Sequence, residues 1–281
     1  MKKFKIGIIG AGHIAIKMAS TLNAMQSAEP YGIAARDRSK AEAFAAAHNI
    51  TKAYGSYEAL ADDPDVDLIY IATPHSLHYA HARMCLERGK AVLCEKAFTA
   101  NAAEAEELIR LSQSKGVFLA EAIWTRYMPF SRTIAEIAAG GAIGTPHMLS
   151  AHLGYPVGTV ERILRPELGG GALLDLGVYT LNFASMCFGE EIARIDSACT
   201  LSETGVDLQE SITLRFADGR MAILQATALC ANDRQGIICG DKGYIVVDNI
   251  NNPLHATLHA PDHTVVRTYD APSQITGFEY Q

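Results

Sequence analysis

Up to about residue 122 the chain alternates short apolar runs with stretches whose apolar side chains recur three or four positions apart. The runs at 4–9, 31–35, 67–72, 91–94 and 117–120 read as buried strands, and the stretches at 13–25, 39–48, 76–88 and 101–115 as amphipathic helices. Ile14, Ala15, Met18, Ala19, Leu22 and Met25 trace one face of the first helix. Apolar strands separated by helices specify a parallel sheet covered on both faces. Asn101 followed by Glu104 has the form of a capping box, and Gly116 ends that helix.

After about residue 145 the period changes to that of longer strands. Residues 211–217 and 220–227 flank Asp218-Gly219, which predicts an antiparallel pair with a two-residue turn. Further strands are expected at 147–154, 193–200, 235–239, 243–248, 254–259 and 264–268, with a helix at 172–187. The second half therefore reads as an α+β domain with a large, mostly antiparallel sheet.

Length and composition fit two domains, since 281 residues at 49% apolar exceed one ordinary domain and supply core for two. The pattern divides them into residues 1–122 and 123–281. A net charge of −7 argues against a nucleic-acid or membrane-surface partner, either of which needs a concentrated basic face, and favours a small molecule. The six cysteines (Cys85, Cys94, Cys187, Cys199, Cys230, Cys239) are scattered, which suits reduced thiols in the cytoplasm better than a disulfide framework. Met1-Lys2-Lys3 leads into a strand rather than a long secretory apolar segment, and no spanning helix is expected.

The first strand runs straight into Gly10-Ala11-Gly12-His13-Ile14-Ala15, a G-x-G-x-x-A turn that opens a helix. In that context the turn predicts dinucleotide binding. Gly10 allows the sharp bend, Gly12 lets backbone N–H groups approach a pyrophosphate at the helix N-terminus, with His13 and Ile14 next in line, and Ala15 allows close packing. The fold expected is α/β, a Rossmann doubly wound sheet followed by the α+β domain. Where the second strand ends, Ala35-Arg36-Asp37-Arg38 places Arg36 and Arg38 at the ribose position, which favours NADP(H), with NAD(H) possible if Asp37 makes the ribose contact instead.

Polar groups also gather where later strands end: Thr73-Pro74-His75 with His78, then Glu95-Lys96-Ala97-Phe98-Thr99, then Glu121-Ala122-Ile123-Trp124-Thr125-Arg126-Tyr127. Together with Gly169-Gly170-Gly171-Ala172-Leu173-Leu174-Asp175-Leu176-Gly177-Val178-Tyr179, these resemble the Gfo/Idh/MocA oxidoreductases over nearly the whole chain, particularly their dihydrodiol and D-xylose dehydrogenase branch. The resemblance implies that Lys96 is the signature lysine, Tyr179 the proton-exchanging group and Asp175 its supporting carboxylate. It also sets Thr73, Pro74, His75, His78 and Glu95 on the cofactor side. Asp175 and Tyr179 are four apart, hence on one helix face, and a phenol near an ammonium loses its proton more readily. Trp124, Arg126 and Tyr127 are candidates to line a sugar or diol pocket, though Trp124 also suits ordinary core. No metal is expected, because no carboxylate or cysteine completes the spacing of His75, His78 and His81. His255, His259 and His263 are expected to be exposed.

Two departures from the family pattern bear on function. Ala97 stands where the family has proline after a lysine, so either the turn keeps a cis bond without proline or Lys96 points differently. Relatives continue through a further C-terminal helix where this chain reads Ile275–Gln281, which leaves a naturally short protein or an omitted tail. The expected activity is hydride exchange between NADP(H) and a secondary alcohol or carbonyl of a sugar or cyclic diol, by a homodimer or higher homo-oligomer. A sensor that binds both without turnover is the alternative.

Overall fold

Six strands alternating with helices make up the first of two units into which the chain divides, Met1–Ala122 and Ile123–Gln281. The structure is a computed structural model describing residues 3–281; Met1 and Lys2, part of the expected leaderless start, lie outside the described residues.

In the first unit, β1 (Phe4–Ile9), β2 (Ala28–Ala34), β3 (Lys52–Tyr54), β4 (Leu68–Ile71), β5 (Ala91–Glu95) and β6 (Leu119–Ala122) pair in parallel in the order β3-β2-β1-β4-β5-β6. The connecting helices are α1 (His13–Ala24), α2 (Arg38–Ala47), α3 (Tyr57–Ala61), α4 (His78–Glu87) and α5 (Ala102–Lys115). Strand order reverses between β1 and β4, and doubly wound sheets bind ligands at that switch point. Ile8, Ile9, Ile33, Ile69, Tyr70, Ile71 and Cys94 are wholly buried, as continuous apolar strands in a sheet covered on both faces must be. The capping box forms, with Asn101 Oδ1 accepting from Glu104 N at 3.0 Å while Glu104 reaches back to Ala100 N at 3.2 Å; Gly116 is left-handed at φ 63.

Two elements of this unit escape the periodicity. β3 has three residues and α3 five, too few to show a period, and ion pairing of Lys52 with Asp63 and a Ser56 cap hold them. β2 starts earlier than expected, at Ala28, because the register shift opposite Pro30 accommodates a residue without an N–H.

The second unit begins with α6 (Pro129–Ala139), then β7 (Pro146–Gly154), α7 (Glu161–Leu164) and α8 (Val178–Phe188), followed by β8 (Ile192–Leu201), β9 (Asp207–Phe216), β10 (Met221–Thr227), β11 (Gly236–Gly240), β12 (Gly243–Val247), β13 (His255–His259) and β14 (Val265–Asp270). Its eight strands run β14-β13-β12-β11-β7-β10-β9-β8, antiparallel except for the parallel β7–β10 pair. Leu149, Ala151, Leu153, Ala222, Leu224, Ile238, Ile245 and Val247 are buried on the sheet's inner face. Met148, Ile195, Ile223 and Val265 stay exposed.

The helix expected at 172–187 is not uniform. Leu173–Gly177 winds as a π turn before α8 begins. The stretch Pro166–Phe188 is also long and apolar enough to cross a membrane by length and composition, contrary to the expectation of none, but it is mostly buried inside this unit and broken by left-handed Gly169 and Gly171. His255 pairs with Asp270 and is exposed, while His259 stacks on Tyr244 and is half-buried.

Candidate active site

At the β1–α1 turn, two glycines two positions apart are glycines for different reasons. Gly10 sits at φ 99, donates its N–H to Ala34 O at 3.0 Å, and has Ala72 O only 2.8 Å from where a Cβ would lie. The fold itself demands glycine there. Gly12 has an ordinary φ of −99, and a Cβ on it would meet nothing nearer than Ala72 O at 4.0 Å. No contact among the described residues requires it. The missing side chain leaves the first N–H groups of α1, from His13 and Ile14 onward, uncovered by any side-chain cap or first-turn acid. Such a helix end suits a diphosphate, and buried Ala15 packs the helix close against the sheet.

Where β2 ends, Arg36, Asp37 and Arg38 are exposed. Asp37 caps α2, its Oδ1 accepting from Ser39 N at 2.9 Å and Ser39 Oγ at 2.8 Å, and these bonds hold its carboxyl below the usual range. Arg38 donates to Glu42 Oε1 at 2.9 Å. One oxygen of Asp37 is thus engaged in the cap.

Beyond β4, Thr73 and Pro74 lead into the single 3₁₀ turn His75–Leu77 and then α4. His78 is wholly buried, with Nδ1 2.8 Å from Ala97 O and Nε2 2.8 Å from Thr73 O. Burial, the largest influence, pushes its pKa down, while the two carbonyls oppose that. Both ring nitrogens are spent on backbone, which ties the loops after β4 and β5 together. His75 lies edge-on to it at 5.6 Å, and His81 Nδ1 meets Thr73 Oγ1 at 3.1 Å. Among the described residues no group of three His, Cys, Asp or Glu side chains is arranged to hold a metal ion.

At the end of β5, Glu95 is buried and accepts hydrogen bonds from the Tyr70 hydroxyl and from Lys96 N, the latter at 3.2 Å. The Lys96–Ala97 bond is cis, as the family's Lys–Pro geometry implies, and Lys96 is half-buried. Burial pushes the Glu95 carboxyl up to about 7, against the pull of Tyr70 and the Lys96 charge. A carboxyl that binds its proton more tightly folded than unfolded stabilises the native state below about 4.5, and that contribution is lost as pH climbs through about 7. The first unit is therefore expected to melt at falling temperature from about pH 5 to about pH 8, and Glu95→Gln to flatten that slope. A variant retaining the wild-type slope would assign it to another group.

In the second unit, the Tyr179 hydroxyl accepts a hydrogen bond from Trp124 Nε1 at 3.2 Å, and both side chains are buried. An N–H donated to a phenol oxygen favours the phenolate. Trp124 is thus core by burial, with its polar atom spent on Tyr179. Arg126 donates to Asn182 Oδ1 at 3.2 Å and Ser185 Oγ at 3.3 Å, while Tyr127 is 38% exposed. Asp175, buried in the π turn, is gripped through both oxygens by Arg162, at 2.9 and 3.1 Å. That makes it an anchor for the turn preceding Tyr179. Asp207 Oδ2 accepts from Leu173 N at 2.6 Å, and a Cβ on Gly177 would come within 2.2 Å of Glu210 Oε1. Burial and the Asp207 carboxyl push Glu210 up to about 8.

Arg162, Asn182, Asp207, Glu210 and Tyr70 carried no signal of their own in the sequence, apart from Asn182 standing one helical turn after Tyr179. Arg162 lies in the irregular stretch between β7 and α8, where no period exists to place it.

The profile of the oxidoreductase family with an NAD-binding Rossmann fold matches residues 4–122, and that of the GFO/IDH/MocA C-terminal domain matches residues 131–246. Trans-1,2-dihydrobenzene-1,2-diol dehydrogenase of Xenopus laevis is 44% identical over 86% of this chain and 74% of its own length. The Xenopus tropicalis enzyme is 42% identical over 99% of this chain and 86% of its own, and the Mus musculus enzyme 38% identical over 98% and 81%. Among solved structures, a 3-ketoreductase from Actinomadura kijaniata in complex with NADP and TDP-benzene shares the fold at TM-score 0.91 and 24% identity, covering 99% of this chain and 87% of that one. An aldose-aldose oxidoreductase from Caulobacter crescentus complexed with glycerol does so at TM-score 0.88 and 22% identity, covering 99% and 86%.

Proposed function

The chain belongs to the Gfo/Idh/MocA oxidoreductase family, as a nicotinamide-dependent dehydrogenase acting on CH–OH groups, and from that premise we propose that it oxidises a cyclic diol or pyranose with NADP+, Tyr179 exchanging the proton. The observation that carries this reading is the buried phenol of Tyr179 with an indole N–H donated to its oxygen. When bound, the nicotinamide supplies the hydride chemistry. The backbone N–H groups of Gly12, His13 and Ile14 would hold the diphosphate, Gly10 makes the turn that presents them, and Thr73, Pro74, His75 and Glu95 would shape the loops beside it. Tyr179 as phenolate accepts the proton of the substrate hydroxyl in oxidation and returns it in reduction. Lys96 stands at the position of the family's signature lysine, and Asp175 fixes the turn from which Tyr179 starts. Trp124, Arg126 and Tyr127 offer the substrate an aromatic wall and a hydrogen-bonding guanidinium, the chemistry that suits a polyhydroxylated ring.

Absorbance of the reduced nicotinamide, followed over a panel of trans-dihydrodiols and aldopyranoses with NADP+, tests the activity. Turnover on some member supports it, whereas binding of both ligands without turnover favours the sensor. The 2′-phosphate preference rests on Arg36. A charge-assisted hydrogen bond is worth roughly 1.5–3 kcal/mol, so Arg36→Ala is expected to cut NADP+ over NAD+ discrimination in kcat/KM by about 10–100-fold. Unchanged discrimination would return the ribose contact to Asp37.

The working form is a homodimer in the cytoplasm. Exposed Met148, Ile195, Ile223, Val265 and Val266 support an assembly through the outer sheet face, and six free thiols suit a reducing compartment. Sedimentation at micromolar concentration is expected to give twice the chain mass, and a monomer there would remove the assembly.

A further inference from the structure

The short segment after β14 is folded by one carboxylate. Glu279 Oε1 accepts from Ile275 N at 2.5 Å, and its Oε2 from Thr276 N at 3.1 Å and Gly277 N at 2.7 Å. A carboxylate that collects several N–H groups fixes the backbone between them. The segment so fixed lies flat on one side chain. Gly277, left-handed at φ 91, has Trp124 Cζ3 only 2.5 Å from where its Cβ would sit, and Phe278 stacks on the same indole at 4.9 Å between centroids and 21° between planes. Gln274 ties the near end of the segment to Asn252 Oδ1 at 3.1 Å. The other edge of the indole is the one that donates to Tyr179.

We propose that Glu279 is a positioning residue for the reaction: by gathering the N–H groups of residues 275–277 it presses Gly277 and Phe278 onto Trp124 and so holds the indole donor on Tyr179. The inference rests on Tyr179 as the proton-exchanging group. Packing alone would need only Phe278. The carboxylate adds a fixed distance between the aromatic pair and the phenol, and that is the part a substitution at 279 removes without touching either ring.

Trp124 is the single tryptophan of the chain, so tryptophan emission reports on the surroundings of this one indole. Glu279→Ala is expected to shift the emission to longer wavelength, to lower kcat for alcohol oxidation about tenfold, and to leave KM for NADP+ unchanged. It is also expected to move the rising limb of the kcat–pH profile upward by as much as about one pH unit, since a lost hydrogen bond to the phenolate makes it more basic. Glu279→Gln, which keeps one acceptor oxygen and the side-chain shape, is expected to fall between the two, and serves equally where the alanine variant is poorly folded. In a Trp124→Phe background the substitution at 279 is expected to change kcat by less than about twofold, because the donor it positions is gone.

An unmoved emission in both variants overturns the proposal. So does a fall in kcat with a stationary pH limb, which is what a purely structural role gives, and so does a full additional loss in the Trp124→Phe background. Full activity of Tyr179→Phe would instead sink the reading of Tyr179, and the emission arm separates that failure from this one.

Discussion

Tyr179→Phe is expected to lower kcat for alcohol oxidation by about 10²–10⁴-fold, the range general acid–base catalysis contributes, with little change in NADP+ affinity. Only the hydroxyl is lost. Trp124 Nε1 then loses its acceptor, and a buried unpaired donor costs about 1–3 kcal/mol, so a modest drop in melting temperature accompanies the kinetic loss. The two effects are separable, because a folding defect would lower the amount of active enzyme without altering its pH dependence. The variant is expected to lose the rising limb that titration of the phenol gives the wild type. A kcat within about threefold of wild type would mean that another group moves the proton.

The second large effect contrasts two neighbouring substitutions. Gly10→Ala forces a side chain onto a residue at φ 99 and places a methyl 2.8 Å from Ala72 O. The left-handed backbone costs about 1–2 kcal/mol and overpacking about 1–3 more, so the first unit is expected to lose about 2–5 kcal/mol of stability. Gly12→Ala meets no such obstacle, with its nearest contact at 4.0 Å and an ordinary φ of −99. Its stability is expected to change by less than about 0.5 kcal/mol. Its NADP+ affinity, however, is expected to fall about tenfold or more, because the methyl stands where a diphosphate approaches the N–H groups of α1. Calorimetry without cofactor and titration with it distinguish the pair. Equal stability losses for both would show that Gly12 serves the fold rather than a ligand.

What could be read before the structure was whatever repeats. Parallel strands apolar throughout, the change of period after residue 145 and the Asp218-Gly219 hairpin follow from spacings of two and of three to four, and they fixed both sheets. The turn at Gly10 and Gly12 was legible because strand, glycines and helix adjoin in sequence. The stripe Phe130, Ile134 and Ala138 of α6 was equally regular and went unread because it begins right after the last parallel strand, where the rhythm changes. The supports of the site were not legible for a different reason. Arg162 reaches Asp175 from α7, a helix of four residues too short to show a period, and Glu279 acts on backbone N–H groups, which every residue but proline carries. Neither interaction leaves a residue-type pattern. The sequence did name Tyr179 and Trp124 as candidates, yet their hydrogen bond joins positions 55 apart, and only a folded chain brings them together.

The π turn before Tyr179 ties the histories of two distant positions. A methyl on residue 177 would lie 2.2 Å from Glu210 Oε1, on a turn whose first N–H is already held by Asp207. Alanine at 177 therefore requires the acid at 210 to swing aside, to be shortened or to be replaced. Sequences of related enzymes are expected to show glycine at 177 wherever glutamate stands at 210, and to vary at the two columns together.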